Sequence, residues 1–182
     1  MNRICYPMTD VPEYLVGTAT APYGGVYAGD VLMCENLDNS IMLNFTQYRG
    51  EIPTPELLPN RALAIVISGG NFDRTPDGRM PKGQPDYTKY YYREGETVPV
   101  IFLEAKQLKL FISDDCLNGY ANVGQYLTGL AYNKNLYVAN EASDASLTNL
   151  KVVAKHNFRL GGIFGGDFAN GNICVVSNFG RS

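Results

Sequence analysis

The chain has 182 residues, a formal net charge of −3 and 45% hydrophobic residues, with charged residues at 18%, below the roughly 25% usual in soluble domains. That length suits one sizeable β domain and is cramped for two, and the slight negative charge provides no basic footprint for nucleic acid. No stretch approaches the roughly 18 consecutive apolar residues of a membrane span, and the N-terminus lacks the apolar core of a secretion signal, so a soluble, unexported chain is expected.

Short apolar runs broken by Gly, Asn, Asp and Pro repeat along the sequence. That rhythm predicts an all-β domain, a compact sandwich or barrel of short antiparallel strands. Residues 1–25 mix Pro7, Pro12 and Pro22 with scattered apolar residues. Proline has no N–H for a sheet ladder, so this segment reads as an extended N-terminal arm, lying on its own core as an edge strand or docked on a neighbouring subunit. Residues 26–182 form the single β domain.

Strands are expected from Val26 onward. VYAGDVLMCEN carries a turn or bulge at Gly29-Asp30, and SIMLNFTQY alternates Ile41, Leu43 and Phe45 with Met42 and Asn44. RALAIVISGG reads as a buried strand closed by glycines. Residues 69–96 form a long Pro/Gly/Tyr-rich loop with turn signals at Pro76-Asp77-Gly78 and Lys82-Gly83, and loops of that length are usually functional or disordered. It ends in Tyr87, Tyr90, Tyr91, Tyr92 and Arg93, the residue types enriched at interface hot spots.

The strands resume with TVPVIFLE and KQLKLFIS, where Leu108, Leu110 and Ile112 alternate with Lys109 and Phe111. Asn118-Gly119, Val123-Gly124 and Asn133-Lys134-Asn135 mark tight hairpin loops. SLTNLKVVAKHNFRL and NICVVSNF supply the last two strands, joined by the glycine loop GGIFGGDFANGN.

Catalytic chemistry is hard to find. The glycine loop fits neither G-x-G-x-x-G before a helix nor G-x-x-x-x-G-K-[ST], which removes the phosphate-binding context. His156, the single histidine, reads as a solvent-facing strand residue with no nucleophile or orienting acid assignable to it. Asp114 and Asp115 are adjacent, and neighbours on a strand point to opposite faces, which spoils them as an acid/base pair; a turn or strand-end role is expected instead. NFDRTPDGR lacks the spacing and terminal glutamate of a calcium loop. Cys5, Cys34, Cys116 and Cys174 stand far apart with apolar flanks, as buried thiols in a reducing compartment do. No metal, cofactor or catalytic residue is expected. A glycan hydrolase on a β scaffold, needing two carboxylates across a cleft, is the enzymatic alternative.

Thirteen tyrosines and no tryptophan suit assembly surfaces, because tyrosine couples a large apolar ring to a hydroxyl that can stay wet. The segments REGETVPVIFLEAKQLKLFISDDCLNG, NVGQYLTG, NLYVAN and NLKVVAKHNF, with VYAGDVL before them, resemble the small β-rich virion proteins of tailed bacteriophages, capsid decoration or auxiliary head proteins in particular. The resemblance spans about half of the chain and does not extend to loop 69–96 or the proline-rich arm. It implies a non-enzymatic protein of the virion, assembled in the host cytoplasm, that binds the major capsid protein lattice and stabilises the head, as a homo-oligomer, with no nucleic-acid or membrane partner. Contacts are expected at Tyr6, Pro7, Tyr14, Tyr23, Tyr90, Tyr91, Tyr92 and Arg93. The alternative within the virion is a tail or fibre module that binds a host receptor or glycan through the tyrosine loop.

Overall fold

A computed structural model describes residues 3–8, 11, 15–36, 47–54, 62–67, 91–103, 108–130, 132–142, 148–159 and 168–177. The fold is all-β. The strands are β1 (Cys5–Pro7), β2 (Val16–Thr20), β3 (Val26–Tyr27), β4 (Val31–Asn36), β5 (Gln47–Glu51), β6 (Ala62–Val66) and β7 (Tyr91–Tyr92) in the first half. The second half adds β8 (Thr97–Phe102), β9 (Lys109–Ser113), β10 (Leu117–Asn118), β11 (Tyr126–Gly129), β12 (Leu136–Ala139), β13 (Thr148–Arg159) and β14 (Phe168–Ser177).

The alternatives of barrel and sandwich are both present in part. Strands β2-β5-β4-β6-β8 close a five-stranded barrel, and β1-β9-β14-β13-β11-β12-β10 form a seven-stranded sheet. A two-stranded ribbon, β3-β7, is the third sheet. The expectation of purely antiparallel pairing is corrected at two places, since β2 runs parallel to β5 and β10 runs parallel to β12. Barrel closure requires the first of these, because β2 joins β5 on one side and antiparallel β8 on the other.

The period-2 alternation explains how a five-residue strand can be apolar throughout. On β6, Ala64 and Val66 point into the barrel while Leu63 and Ile65 point outward, and on β4, Leu32 and Cys34 face Val31 and Met33 in the same way. The inward set meets Ala19, Val98, Val100 and Phe102 and fills the barrel. The outward set meets Leu110, Ile112, Leu127, Leu136, Leu150, Val152, Cys174 and Val176 from the seven-stranded sheet. Two cores therefore share one wall, and each fully buried aliphatic side chain in it contributes about 1.5–3 kcal/mol.

Where it is described, the segment expected as an arm is built into the domain. β1 is an edge strand hydrogen-bonded to β9, in the register Cys5↔Ile112 and Pro7↔Leu110, so Pro7 sits at an edge, as a residue without an N–H must. Residues 16–20 are a barrel strand, and Leu15 and Ala19 are in its core. The boundary at residue 25 is therefore corrected: proline content identified the edge position of Pro7 and overextended it to β2.

Of the expected hairpin loops, Asn133-Lys134-Asn135 joins the antiparallel pair β11–β12, whereas Asn118-Gly119 and Val123-Gly124 turn the chain between β10 and β11, which do not pair with each other. Gly29, Gly119 and Gly124 have φ of +85°, +125° and +93°. A bulge between Val152 and Ala154 on β13 shifts its register against β14, which leaves Val153 exposed. The expected strand around Ile41, Leu43 and Phe45, most of loop 69–96, and the glycine loop from 161 to 167 lie outside the described residues.

Candidate functional site

Two groups of polar and aromatic side chains stand beside each other where β1, the β3–β7 ribbon and the β3–β4 turn converge. The first is buried. Arg3 Nη2 lies 2.7 Å from Asp30 Oδ1, and the other carboxylate oxygen accepts the Tyr27 N–H at 2.9 Å. Asp30 is 0% exposed; burial pushes its carboxyl above the ordinary carboxylate range, against the pull of Arg3, the Tyr27 N–H and Lys134.

Next to this pair, Ser113 Oγ accepts the Ile4 N–H at 2.8 Å. Cys116 Sγ lies 3.3 Å from that hydroxyl and 3.4 Å from the carbonyl oxygens of Ile4 and Ala28. A single 3-10 turn, Asp114–Cys116, brings the thiol there. Gly29 is required opposite it, because a Cβ at that position would stand 2.8 Å from the Cys116 Cβ and Sγ, and its φ is +85°. The node ties the N-terminal strand, the barrel turn and the sheet into one unit.

The second group is exposed. The Tyr27 ring is held between the Arg3 guanidinium, 4.8 Å from its centroid, and the Tyr91 ring at 4.9 Å. Tyr91 donates its hydroxyl to the Gly24 carbonyl at 2.6 Å. Lys134 Nζ donates to the Gly25 carbonyl as well, and the Gly25 N–H closes the turn on Pro22 O at 2.9 Å. The turn so fastened presents Tyr23 at 83% exposure.

The expected contact residues separate on this geometry. Tyr23, Tyr91 and Arg93 are exposed, and Tyr23 and Tyr91 share the face just described. Tyr6 and Pro7 are half-buried on β1, where Tyr6 packs its ring 5.6 Å from that of Phe111; they belong to another sheet. Tyr92 is corrected: it is 8% exposed and part of the barrel core, because adjacent residues on β7 point to opposite sides. Tyr14 and Tyr90 lie outside the described residues. Tyr27, which completes the stack, carried no signal in the sequence beyond its residue type, and the Arg3–Asp30 pair spans 27 positions.

The remaining chemistry-bearing residues are committed to the fold. Asp114 accepts hydrogen bonds from Lys155 Nζ at 3.0 Å and from Asn172 Nδ2 at 2.9 Å. It sits on the 3-10 turn at the end of β9, the turn or strand-end position expected of it. His156 is exposed, with its ring edge-on to Phe111 at 6.5 Å. All four cysteines are buried. Burial raises each thiol, those of Cys34 and Cys174 to about 12, so each stays protonated and unreactive near neutral pH. Among the described residues no group of three or more His, Cys, Asp or Glu is placed to hold a metal ion, and no helix is long and apolar enough to cross a membrane.

No family model, curated protein or solved structure matches the chain.

Proposed function

We propose that this chain is a structural protein of a phage virion, of the capsid decoration type, which binds the major capsid protein lattice and stabilises the head. The observation that carries the reading is the Tyr23–Tyr27–Tyr91 face: exposed aromatic rings, of which Tyr91 is held by its hydrogen bond to the Gly24 carbonyl and Tyr27 by Tyr91 and by Arg3 of the buried ion pair, with Tyr23 on the turn they fasten. Tyrosine brings large contact area with few rotatable bonds, so a face of this kind loses little conformational entropy on docking. The low charge fraction favours the same use, since interface cores are depleted in charged residues. A rigid two-core β scaffold suits a subunit that repeats one contact over a symmetric lattice, itself as a homo-oligomer.

The test is re-addition of purified protein to particles stripped of it. Tyr91→Ala is expected to lower particle occupancy and heat resistance, while Tyr120→Ala, equally conservative in chemistry and placed in the loop after β10, leaves both unchanged. Equal occupancy by both variants would remove the face from the contact. Loss of cell attachment with full occupancy would move the protein to the tail or fibre reading.

A further inference from the structure

A cleft of about 680 Å³ opens beside the tyrosine face, between the end of β2 with its following turn, the end of β5, and the turn before β8. Its lining includes Tyr23, Arg49, Glu51, Thr54 and Glu94. We propose that this cleft is a binding site for a neutral saccharide, with the Tyr23 ring as its stacking platform. The proposal does not rest on the capsid reading and concerns the free chain, in which the Tyr23 ring is in solvent.

Three observations support it. The Tyr23 ring is exposed on a pre-organised turn: Pro22, a Gly24 φ of +79° and a Gly25 φ of +62° shape its backbone, and Tyr91 and Lys134 fasten the turn through its carbonyls. A backbone already held in place leaves only the side-chain torsions of the platform to order on binding. The cleft also carries both signs of charge, Arg49 against Glu51 and Glu94. Sugar hydroxyls both donate and accept and so pair with either sign. Finally, the Thr54 hydroxyl in the cleft wall is buried with no hydrogen-bond partner, an uncommon state for a polar group in a folded protein. A volume of about 680 Å³ lies within the range of roughly 300–1,000 Å³ typical of ligand sites.

The experiment is an NMR titration of the purified chain with neutral trisaccharides of glucose, galactose, mannose and N-acetylglucosamine, with a sialylated trisaccharide beside them. At least one neutral sugar is expected to bind, with shifts at Thr20, Gly50 and Gly95. Tyr23→Ala is expected to weaken that sugar about tenfold, the loss of a stacked aromatic contact, while Tyr23→Phe and Tyr120→Ala leave it within about twofold. The ring at 23 is 83% exposed, so its removal leaves the fold in place, and the variant's spectrum verifies this directly. No binding by any neutral sugar, preference for the sialylated one, or binding indifferent to Tyr23→Ala would each overturn the proposal.

Discussion

Asp30 and Tyr23 are seven positions apart in the sequence and use their polar groups in opposite ways. Around Asp30, the carboxylate, the Ser113 hydroxyl and the Cys116 thiol all pair with other parts of the chain. Around Tyr23, the backbone carbonyls of the turn are taken by Tyr91 and Lys134, while the ring itself is left in solvent. Groups satisfied internally hold the fold; a large ring left in solvent on a fastened turn is available to a partner. Stability should therefore respond strongly to changes at the node and weakly at the turn, and binding should respond the other way.

Asp30→Ala should show the largest effect. It strands the Arg3 guanidinium, whose side chain is 13% exposed, and breaking a buried pair from one side costs about 3–5 kcal/mol. Urea unfolding is expected to lose that amount. A loss below about 1 kcal/mol would mean that the pair behaves as a surface salt bridge. Gly29→Ala should follow, at about 2–3 kcal/mol, because it combines a left-handed backbone with a Cβ pressed against Cys116. A midpoint like the wild type's would show that the turn can shift away from the 3-10 segment.

The buried thiols sharpen the same contrast through pH. Cys34 and Cys174 rise from an ordinary 9.0 to about 12 in the fold, mainly by burial, with Glu51 adding to the rise at Cys34 and Lys155 opposing it at Cys174. A group whose pKa is raised on folding stabilises fully below its unfolded value and loses that contribution as pH climbs toward the folded one. Each thiol should therefore remove about 1.4 kcal/mol per pH unit above pH 9. Urea midpoints at pH 8 and pH 10 measure this, and a Cys34→Ala variant should fall less steeply between them. A slope unchanged by that substitution would place the alkaline loss on other groups. The smallest effect should come from Tyr23→Ala, which lies within about 0.5 kcal/mol of wild type for an exposed side chain. A larger destabilisation would return Tyr23 to the fold and end the contrast.

Much of the fold was legible because β architecture writes itself in alternation and turn residues. Leu108, Leu110 and Ile112 do face one core, and the ALAIV run is buried on both faces. That both faces are buried by different neighbours, one the barrel interior and one the sheet, could not be read from the run itself. Strand order and the parallel β2–β5 pairing depend on contacts between distant segments, which local pattern does not encode. The candidate site was less legible for a similar reason. The tyrosine run from 90 to 92 drew attention as a block, whereas the pleat sends Tyr91 outward and Tyr92 into the barrel. Its actual companions, Tyr27 and Arg3, come from elements far from it in sequence.

The central claim, that this chain is a structural component of a phage virion, is tested most directly by counting it. Quantitative mass spectrometry of purified particles whose genome encodes the chain should find it in a fixed, near-stoichiometric ratio to the major shell protein. Its absence from the particles would contradict the account.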